Sequence, residues 1–393
     1  MKSLLFSFLF ILSANLLSQA PTLYFNFVSH NEPKDSLQKS TQYFQSKAKC
    51  IQLANIIKNK NAAWNLGTCD YFVDGAINND NGQASPNDIF EILSSPTYTS
   101  NIEIDPRTKN HLGRNTADAV YLINSCGGFA SNNLSGFTYW SSNPMQIDWW
   151  QYQNTLTGNI YSNQWKATLI WGGGSPGHIN DLNDYGIWKP DTTNNFYVHN
   201  PNRNLWFEGN GCAGKLDTLT NEQDIITKLR NIIDSLQNGF LPQNKFYCYT
   251  TTLGQDEFGT TLFTKISKVC DSINSWGSAK IQWATLSQKF TAFQNWQTST
   301  SQQYSQWMCG QTVSGVPENT INYFNVSPNP STGKFKFHFY DESEHYVSIY
   351  DLTGKLLSTR VISKEADILF HNLPQGLYFA VIDGNKAIKL IIN

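Results

Sequence analysis

The chain has 393 residues, with 28 Lys plus Arg against 30 Asp plus Glu and a formal net charge of -2. That length allows about two or three domains of ordinary size, and the charge balance excludes the basic stripe of a nucleic-acid partner and the polybasic face of a membrane-surface protein. Charged residues are only 15%, aromatics are 14% and there are 12 Trp, a polar but uncharged balance that suits neutral, hydroxyl-rich ligands such as sugars, although tryptophans also fill cores.

Residues 1–20 read as a signal peptide. Lys2 supplies the positive start, Leu4 to Leu17 form an apolar run broken only by Ser, Ala and Asn, and Ser18-Gln19-Ala20 offers small residues for cleavage. The run is short for a membrane span, and no later stretch is long and apolar enough to be one.

Residues 21–310 alternate strand-like and helix-like segments. Leu23 to Val28 is a strand, Leu37 to Lys60 has helical apolar spacing, and Ala62 to Leu66 is a second strand. Ser85-Pro86 opens a helix through Ser94, with Ser85 as N-cap, Ile102 to Ile104 is a third strand, and Asn115 caps a helix running to Cys126. Further strands fall at Ala167 to Ile170, Phe196 to Val198, Phe246 to Tyr249 and Lys280 to Trp283, and helices at Glu222 to Gln237, Glu257 to Ser275 and Ser287 to Trp296. This alternation predicts an α/β fold, a (β/α) barrel of irregular form with about seven or eight strands. A doubly wound open sheet is the alternative, but no GxGxxG follows the first strand.

Barrels of this class carry their sites at the carboxyl ends of the strands. Those positions hold His30 and Glu32, then Asp70, then Asp105, Arg107 and His111, then Trp171, His178 and Asp181, and finally His199. All four His of the body therefore lie just beyond predicted strands. Neutral imidazoles plus a carboxylate can hold a divalent ion such as zinc, which makes a hydroxide from water near neutral pH. His30, Asp70, His111 and His178 are the candidate metal ligands, with Glu32 and Asp105 as acid or base. No HxH or HxxxH pair anchors such an ion. Each His alone is as well explained by loop hydrogen bonding. Trp171 and Trp188, with Arg107, are candidate sugar contacts, and Trp149, Trp150 and Trp165 could line the same cleft. The Trp171-Gly172-Gly173-Gly174 stretch lets backbone approach a ligand, but no Lys-Ser or Lys-Thr follows to make a phosphate loop. No Gly-x-Ser-x-Gly elbow is present. The seven Cys include no CxxC, and the odd count leaves one thiol over.

A linker over 311–322 leads to residues 323–393, where alternating runs such as Lys334 to Phe339, Tyr346 to Tyr350 and Leu377 to Ile382 are separated by Gly turns. This pattern predicts a small all-β sandwich. Phe324-Asn325-Val326-Ser327-Pro328-Asn329-Pro330-Ser331-Thr332-Gly333, then Tyr350-Asp351-Leu352-Thr353-Gly354-Lys355, then Leu373-Pro374-Gln375-Gly376-Leu377-Tyr378 followed by Lys389-Leu390-Ile391-Ile392, resemble the three motifs of the C-terminal sorting domain of the type IX secretion system of Bacteroidota. The resemblance implies the outer-membrane secretion machinery as a partner, passage out of the cell, removal of the domain, and a mature protein released or held on the cell surface.

The middle region is similar, in Phe27-Val28-Ser29-His30-Asn31-Glu32, Ile104-Asp105-Pro106 and Ile281-Gln282-Trp283-Ala284-Thr285-Leu286, to the distorted barrels of the polysaccharide deacetylase and related glycoside hydrolase superfamily. That resemblance implies a metal held by an Asp and two His, with a catalytic Asp on the first strand. The chain departs from it: the first strand lacks an Asp-Asp pair, and Arg107-Thr108-Lys109 stands where a His pair is expected. The expectation is a secreted carbohydrate-active hydrolase, a deacetylase or glycosidase. A non-catalytic glycan-binding or adhesive surface protein is the alternative.

Overall fold

A computed structural model describes residues 20–31, 35–80, 87–108, 111–136, 149–172, 184–192, 195–210, 214–308, 324–339, 343–352, 355–369, 373–382 and 386–393. The signal-peptide reading of residues 1–20 falls almost wholly outside them. The chain divides into two compact units, one of Met1–Gln237 with Gln243–Cys309, the other of Asn238–Pro242 with Gly310–Asn393.

The larger unit runs β1 (Leu23–His30), α1 (Ser40–Asn59), β2 (Trp64–Thr68), α2 (Asp70–Asn79), α3 (Ile89–Leu93), β3 (Ile102–Pro106), α4 (Thr116–Ser125) and β4 (Asn133–Ser135). It continues β5 (Leu156–Thr157), β6 (Gln164–Trp165), β7 (Leu169–Gly172), β8 (Asp184–Trp188), β9 (Trp206–Asn210) and β10 (Lys215–Leu216). It ends with α5 (Glu222–Gln237), β11 (Tyr247–Leu253), α6 (Thr260–Ser275), β12 (Ile281–Trp283), α7 (Leu286–Thr300) and β13 (Ser305–Met308).

The expected α/β body is present. A six-stranded parallel sheet has the order β10-β11-β1-β2-β3, with β12 also on β1, and a five-stranded mixed sheet has the order β13-β8-β9-β7-β4. A parallel bridge between Ile104 of β3 and Ala130, just before β4, brings the two together. β1 is the centre: β11 pairs with Leu23 to Ser29 along one edge, while β12 takes Leu23 to Phe25 and β2 takes Phe27 to His30. A strand paired on both edges and covered on both faces reads as largely apolar: Leu23, Phe25, Phe27 and Val28 are fully buried, and the polar Asn26 and Ser29 are buried with them.

Local signals were honoured where they were strong. α5 buries Ile225, Leu229, Ile233 and Leu236 on one stripe. Asn115 caps α4 in a reciprocal box with Asp118. Two readings change. α3 begins at Ile89, not Pro86, because Asp88 accepts the Phe90 N–H at 2.8 Å and is the cap; Ser85 and Pro86 lie outside the described residues. Phe196 to Val198 is a turn rather than a strand, folded back where Asp191 N–H bonds Val198 O at 3.1 Å.

Between the sheets lies α7. Its Leu286, Phe290 and Phe293 pack with Val28, Leu169, Trp171, Ile187, Phe246 and Cys248. Lys289, on the same helix, is wholly buried, and its Nζ donates to Glu208 Oε1 (2.7 Å), Thr250 Oγ1 (2.7 Å) and Tyr249 O (3.0 Å). A polar chain runs on from Thr250 through Asn26 (2.7 Å) and Asn65 (2.8 Å) to Asp105 (2.9 Å), while Leu286 N–H reaches Asn65 Oδ1 at 3.2 Å. Cys50, Cys69, Cys126, Cys248 and Cys270 are buried free thiols, and burial pushes Cys50 and Cys126 up to about 12 and Cys69 to about 11; Cys212 and Cys309 are outside the described residues.

The smaller unit has β14 (Phe324–Ser327), β15 (Lys334–Phe339), β16 (Glu344–Tyr350), β17 (Leu356–Ser363), β18 (Glu365–Leu369), β19 (Gly376–Ile382) and β20 (Lys386–Ile392). They form antiparallel sheets β14-β15-β18 and β17-β16-β19-β20. Phe335, Phe337 and Phe339 point into a core with Val347, Ile349, Ala380, Ile382 and Leu390, while Lys334 and Lys336 pair outside with Asp367 and Glu365, each at 2.8 Å.

Removing Lys289 leaves Glu208 charged and unpaired in the interior. Lys289→Met is expected to cost about 3–5 kcal/mol, and adding Glu208→Leu to recover most of it. All 12 Trp precede residue 308, so tryptophan emission during urea unfolding of the full chain reports this unit alone. Equal stability of the Met variant and the wild type would show that the pair is not holding α7.

Candidate functional site

In the smaller unit the three sequence motifs turn out to be stitches. Asn329 Nδ2 donates to Lys389 O (2.6 Å) and its Oδ1 accepts from Ile391 N–H (2.9 Å). Ser331 N–H bonds Ile391 O and Asn393 N–H bonds Ser331 O, each at 2.9 Å, and Ser331 Oγ accepts from Gly333 N–H at 3.0 Å. The opening motif is thus clamped to the last strand. Asp351 and Lys355 close the middle turn (Lys355 N–H to Asp351 Oδ1, 3.0 Å), and Tyr378 OH donates to Pro374 O at 2.8 Å in the closing motif.

In the larger unit the carboxyl ends of the parallel strands bring His30, Ser135 and Trp171 together. His30 ends β1, Ser135 ends β4 and pairs across the ladder with Trp171 of β7. The imidazole and indole centroids are 6.2 Å apart. Two glycines make the fit possible. A Cβ on Gly67 would sit 2.8 Å from His30 Cδ2 and 2.9 Å from Ser135 Oγ, and one on Gly136, where φ is +86°, would strike His30 Nε2 at 2.1 Å. Ser135 and Trp171 are almost wholly buried (1% and 2% exposed), yet among the described residues Ser135 Oγ and Trp171 Nε1 find no hydrogen-bond partner. Most buried polar groups find a partner; these two share their lack of one with others, such as the Trp149 and Trp307 indole nitrogens, and stand out by lying next to the His30 imidazole.

The other candidates are distributed differently. Asp70 starts α2 and accepts from Thr108 Oγ1 (2.6 Å) and from the His111 backbone N–H (3.0 Å). The His111 ring lies 3.4 Å from Asp74 Oδ2, 3.2 Å from Gln38 Nε2 and against Tyr71, and Arg114 Nη1 holds Asp74 Oδ1 at 2.5 Å. Asp70 and His111 therefore meet, in a network that pins the segment after β3 to α2. Arg107 extends β3, its N–H bonded to Thr68 O at 2.9 Å. His199 stands apart: its Nδ1 accepts from Lys189 N–H (3.1 Å), its ring stacks on Tyr304 at 4.2 Å, and burial, with Lys189 beside it, lowers its pKa. The strand expected before it is a turn. Glu32, His178 and Asp181 lie outside the described residues. Among the described residues no three His, Cys, Asp or Glu come together to hold a metal ion, so the described candidates do not fit a zinc site.

Trp188 is fully enclosed in β8, its indole N–H donated to Phe196 O at 2.9 Å, in a core that also takes Trp149 and Trp165. It is a packing residue, because β8 runs through the middle of the second sheet. Of that group Trp150 is exposed, under the Arg203 guanidinium at 4.6 Å. Asp105 is also fully enclosed. Asn65 Nδ2 (2.9 Å) and Ser131 Oγ (2.5 Å) donate to its two oxygens, and burial, reinforced by the neighbouring Glu103 carboxylate, pushes its pKa well above the usual carboxylate range. Glu103 in turn accepts from Asn133 Nδ2 (2.6 Å) and from the Ser287 N–H at the start of α7 (3.1 Å), a carboxylate at a helix N-terminus. Ser135 carried no sequence signal; the Ser135-Gly136 pair behind a three-residue strand was too short to register.

Residues 325–393 match the family model for the secretion system C-terminal sorting domain, and that part of the chain is such a domain, indicating export to the cell surface or beyond. No curated protein matches the chain. The chain is similar in structure to a Mycobacterium smegmatis protein described as a polysaccharide deacetylase, with a TM-score of 0.39 and 10% identity over 71% of this chain and 92% of that one.

Asp105 binds its proton more tightly folded than unfolded, so the stability this proton confers is full below the unfolded carboxylate pKa and is lost as pH rises through the folded value. Asp105→Asn is expected to gain on the wild type as pH rises from 5 to 8 in urea titrations read by tryptophan emission, since Ser131 can turn its hydroxyl to accept. Asp105→Leu orphans two donors and is expected to cost about 2–5 kcal/mol at any pH. In the smaller unit, Asn329→Ala removes two bonds to β20 and is expected to lower the secreted fraction of the protein, measured by immunoblot of cells and medium; unchanged export would mean that the clamp does not matter to sorting.

Proposed function

We propose that the exported protein engages glycans at the carboxyl ends of its parallel strands, in a distorted barrel whose mouth is floored by His30, Ser135 and Trp171. The observation that carries this reading is the pair of buried polar atoms, Ser135 Oγ and Trp171 Nε1, that have no partner among the described residues, beside an imidazole. A hydroxyl and an indole N–H are suited to a sugar's hydroxyls, which both donate and accept, and crevices at strand carboxyl ends are where open and barrel α/β sheets bind ligands. In the hydrolytic form of the reading, His30 takes a proton from water or returns one to the leaving group, with Glu32 as the further carboxylate. Deacetylation and glycosidic cleavage both fit this role. In the second form the same mouth binds a glycan without cleaving it. This form is favoured by the fact that Asp70, Asp105 and His111, the other described candidates, are engaged in architectural hydrogen bonds.

Delivery follows from a cleaved signal peptide at residues 1–20 and a type IX route of the Bacteroidota kind, leaving the mature protein released or surface-held. Deleting residues 323–393 is expected to retain the protein inside the cell; normal surface delivery of the shortened chain would refute the route. For the mouth, full-length protein is incubated with acetylated xylan and with neutral oligosaccharides, and bound glycan, acetate and reducing ends are measured. The hydrolytic form expects release that falls by about a hundredfold or more in His30→Ala. Binding without release selects the non-catalytic form, and neither binding nor release sinks the reading.

A further inference from the structure

The opposite end of the larger unit carries a concavity of about 790 Å³, bordered by Tyr24 at the start of β1, the residues just before β2 and β3, β12 and one side of α7. That volume lies within the range of small-molecule sites, about 300–1,000 Å³. β1 has 8 residues, so this concavity and the His30 mouth lie about 20 Å apart along it. No Asp, Glu, Lys, Arg or His lines it, whereas six carboxamides do. Such a lining cannot pay for the desolvation of an anion or a cation. Carboxamides present donors and acceptors together, which matches alcohol groups.

The lining is also partly fixed in advance. Trp283 is half-buried, with its indole N–H held by Asn274 Oδ1 (2.8 Å) and its ring against Phe25 and Phe27. Asn274 Nδ2 is tied to Lys60 O (2.7 Å), and Gln288 spans Ser100 O (3.0 Å) and the Thr285 N–H (2.9 Å). Tyr24 is stacked on Phe246 at 5.0 Å and remains half-exposed. Gln282 and Asn295 are exposed and are not needed by any of these bonds, so their amides face whatever enters. Rigid aromatic rings with orienting amides and no charge suit stacking on the apolar face of a sugar while its hydroxyls are bonded at the edge.

We infer that this amino-end groove is a binding site for a neutral oligosaccharide, separate from the mouth at the strands' carboxyl ends. The ligand class rests on the glycan reading above; the location does not. The test is calorimetric titration of the full-length protein with cellohexaose, xylohexaose, mannohexaose and maltohexaose, and with polygalacturonate as the anionic control. The variants are Gln282→Ala/Asn295→Ala, whose side chains support no described element, Asn295→Trp, which fills the groove, and His30→Ala. The expected result is a binding step for at least one neutral hexaose, absent with polygalacturonate, that is weakened about tenfold by the double alanine variant, missing in Asn295→Trp, and kept in His30→Ala, which alters only the step that belongs to the mouth. Binding that is lost in His30→Ala and kept in both groove variants overturns this inference and leaves the mouth reading standing. Binding of polygalacturonate alone, or of no hexaose, overturns the ligand class for the groove.

Discussion

A single charged group placed where water cannot reach it organises the larger unit. Lys289 is fully buried on α7, and a buried ammonium must find acceptors or destabilise the fold. It finds three, contributed by β9 and β11. This requirement sets the rotation of α7, and that rotation turns Leu286, Phe290 and Phe293 onto the apolar inner positions of β1, β7, β8 and β11. The start of the same helix then meets Asn65 and Glu103, so its unpaired N–H groups are satisfied by strands β2 and β3. Packing on this helix adds to the direct contacts of β4 with β3 and of β8 with β11 in holding the two sheets together.

The placement of α7 also separates the ends of the interior. At the carboxyl ends of the strands stand His30, Ser135 and Trp171. At the amino ends, the outer flank of α7 and the short strand β12 border the uncharged groove. Carboxylates that a sequence reading assigns to chemistry are absorbed in between: Asp105 holds Asn65 and Ser131, and Asp70 holds the segment after β3. A buried carboxylate with raised proton affinity is often a catalytic acid, but here the partners are Asn65 of β2 and Ser131 just ahead of β4, which is the pattern of a structural network.

The smaller unit follows a different logic. Its core is filled by strict alternation, and its outer face carries paired charges that leave little for a ligand to recognise. Its motifs sit where chain ends must be secured. Asn329 and Ser331 clamp the final residues, so the segment that identifies the domain in sequence is the one that completes its last strand.

How much of this was legible depended on the range of the interactions concerned. Period-2 runs, Gly turns and ordered motifs are local, and they determined the sandwich and its sorting role. Apolar stripes and caps are local too, and they determined α1, α4 and α5 and the parallel order of the first strands. The short strands β4, β8, β9 and β13 were missed because three to five residues carry too little periodicity. Trp188 looked available beside a proline and a glycine, and only the neighbouring strand enclosed it. Ser135 looked ordinary until β1, β2 and β7 surrounded it. The sequence by itself settled that the chain carries a sorting domain behind an α/β body, because those signals lie within a few residues of one another. Which polar groups were tied into the architecture was decided by contacts between residues far apart in the chain, such as Lys289 with Glu208 and Asn65 with Asp105, and only the tertiary structure brings those together.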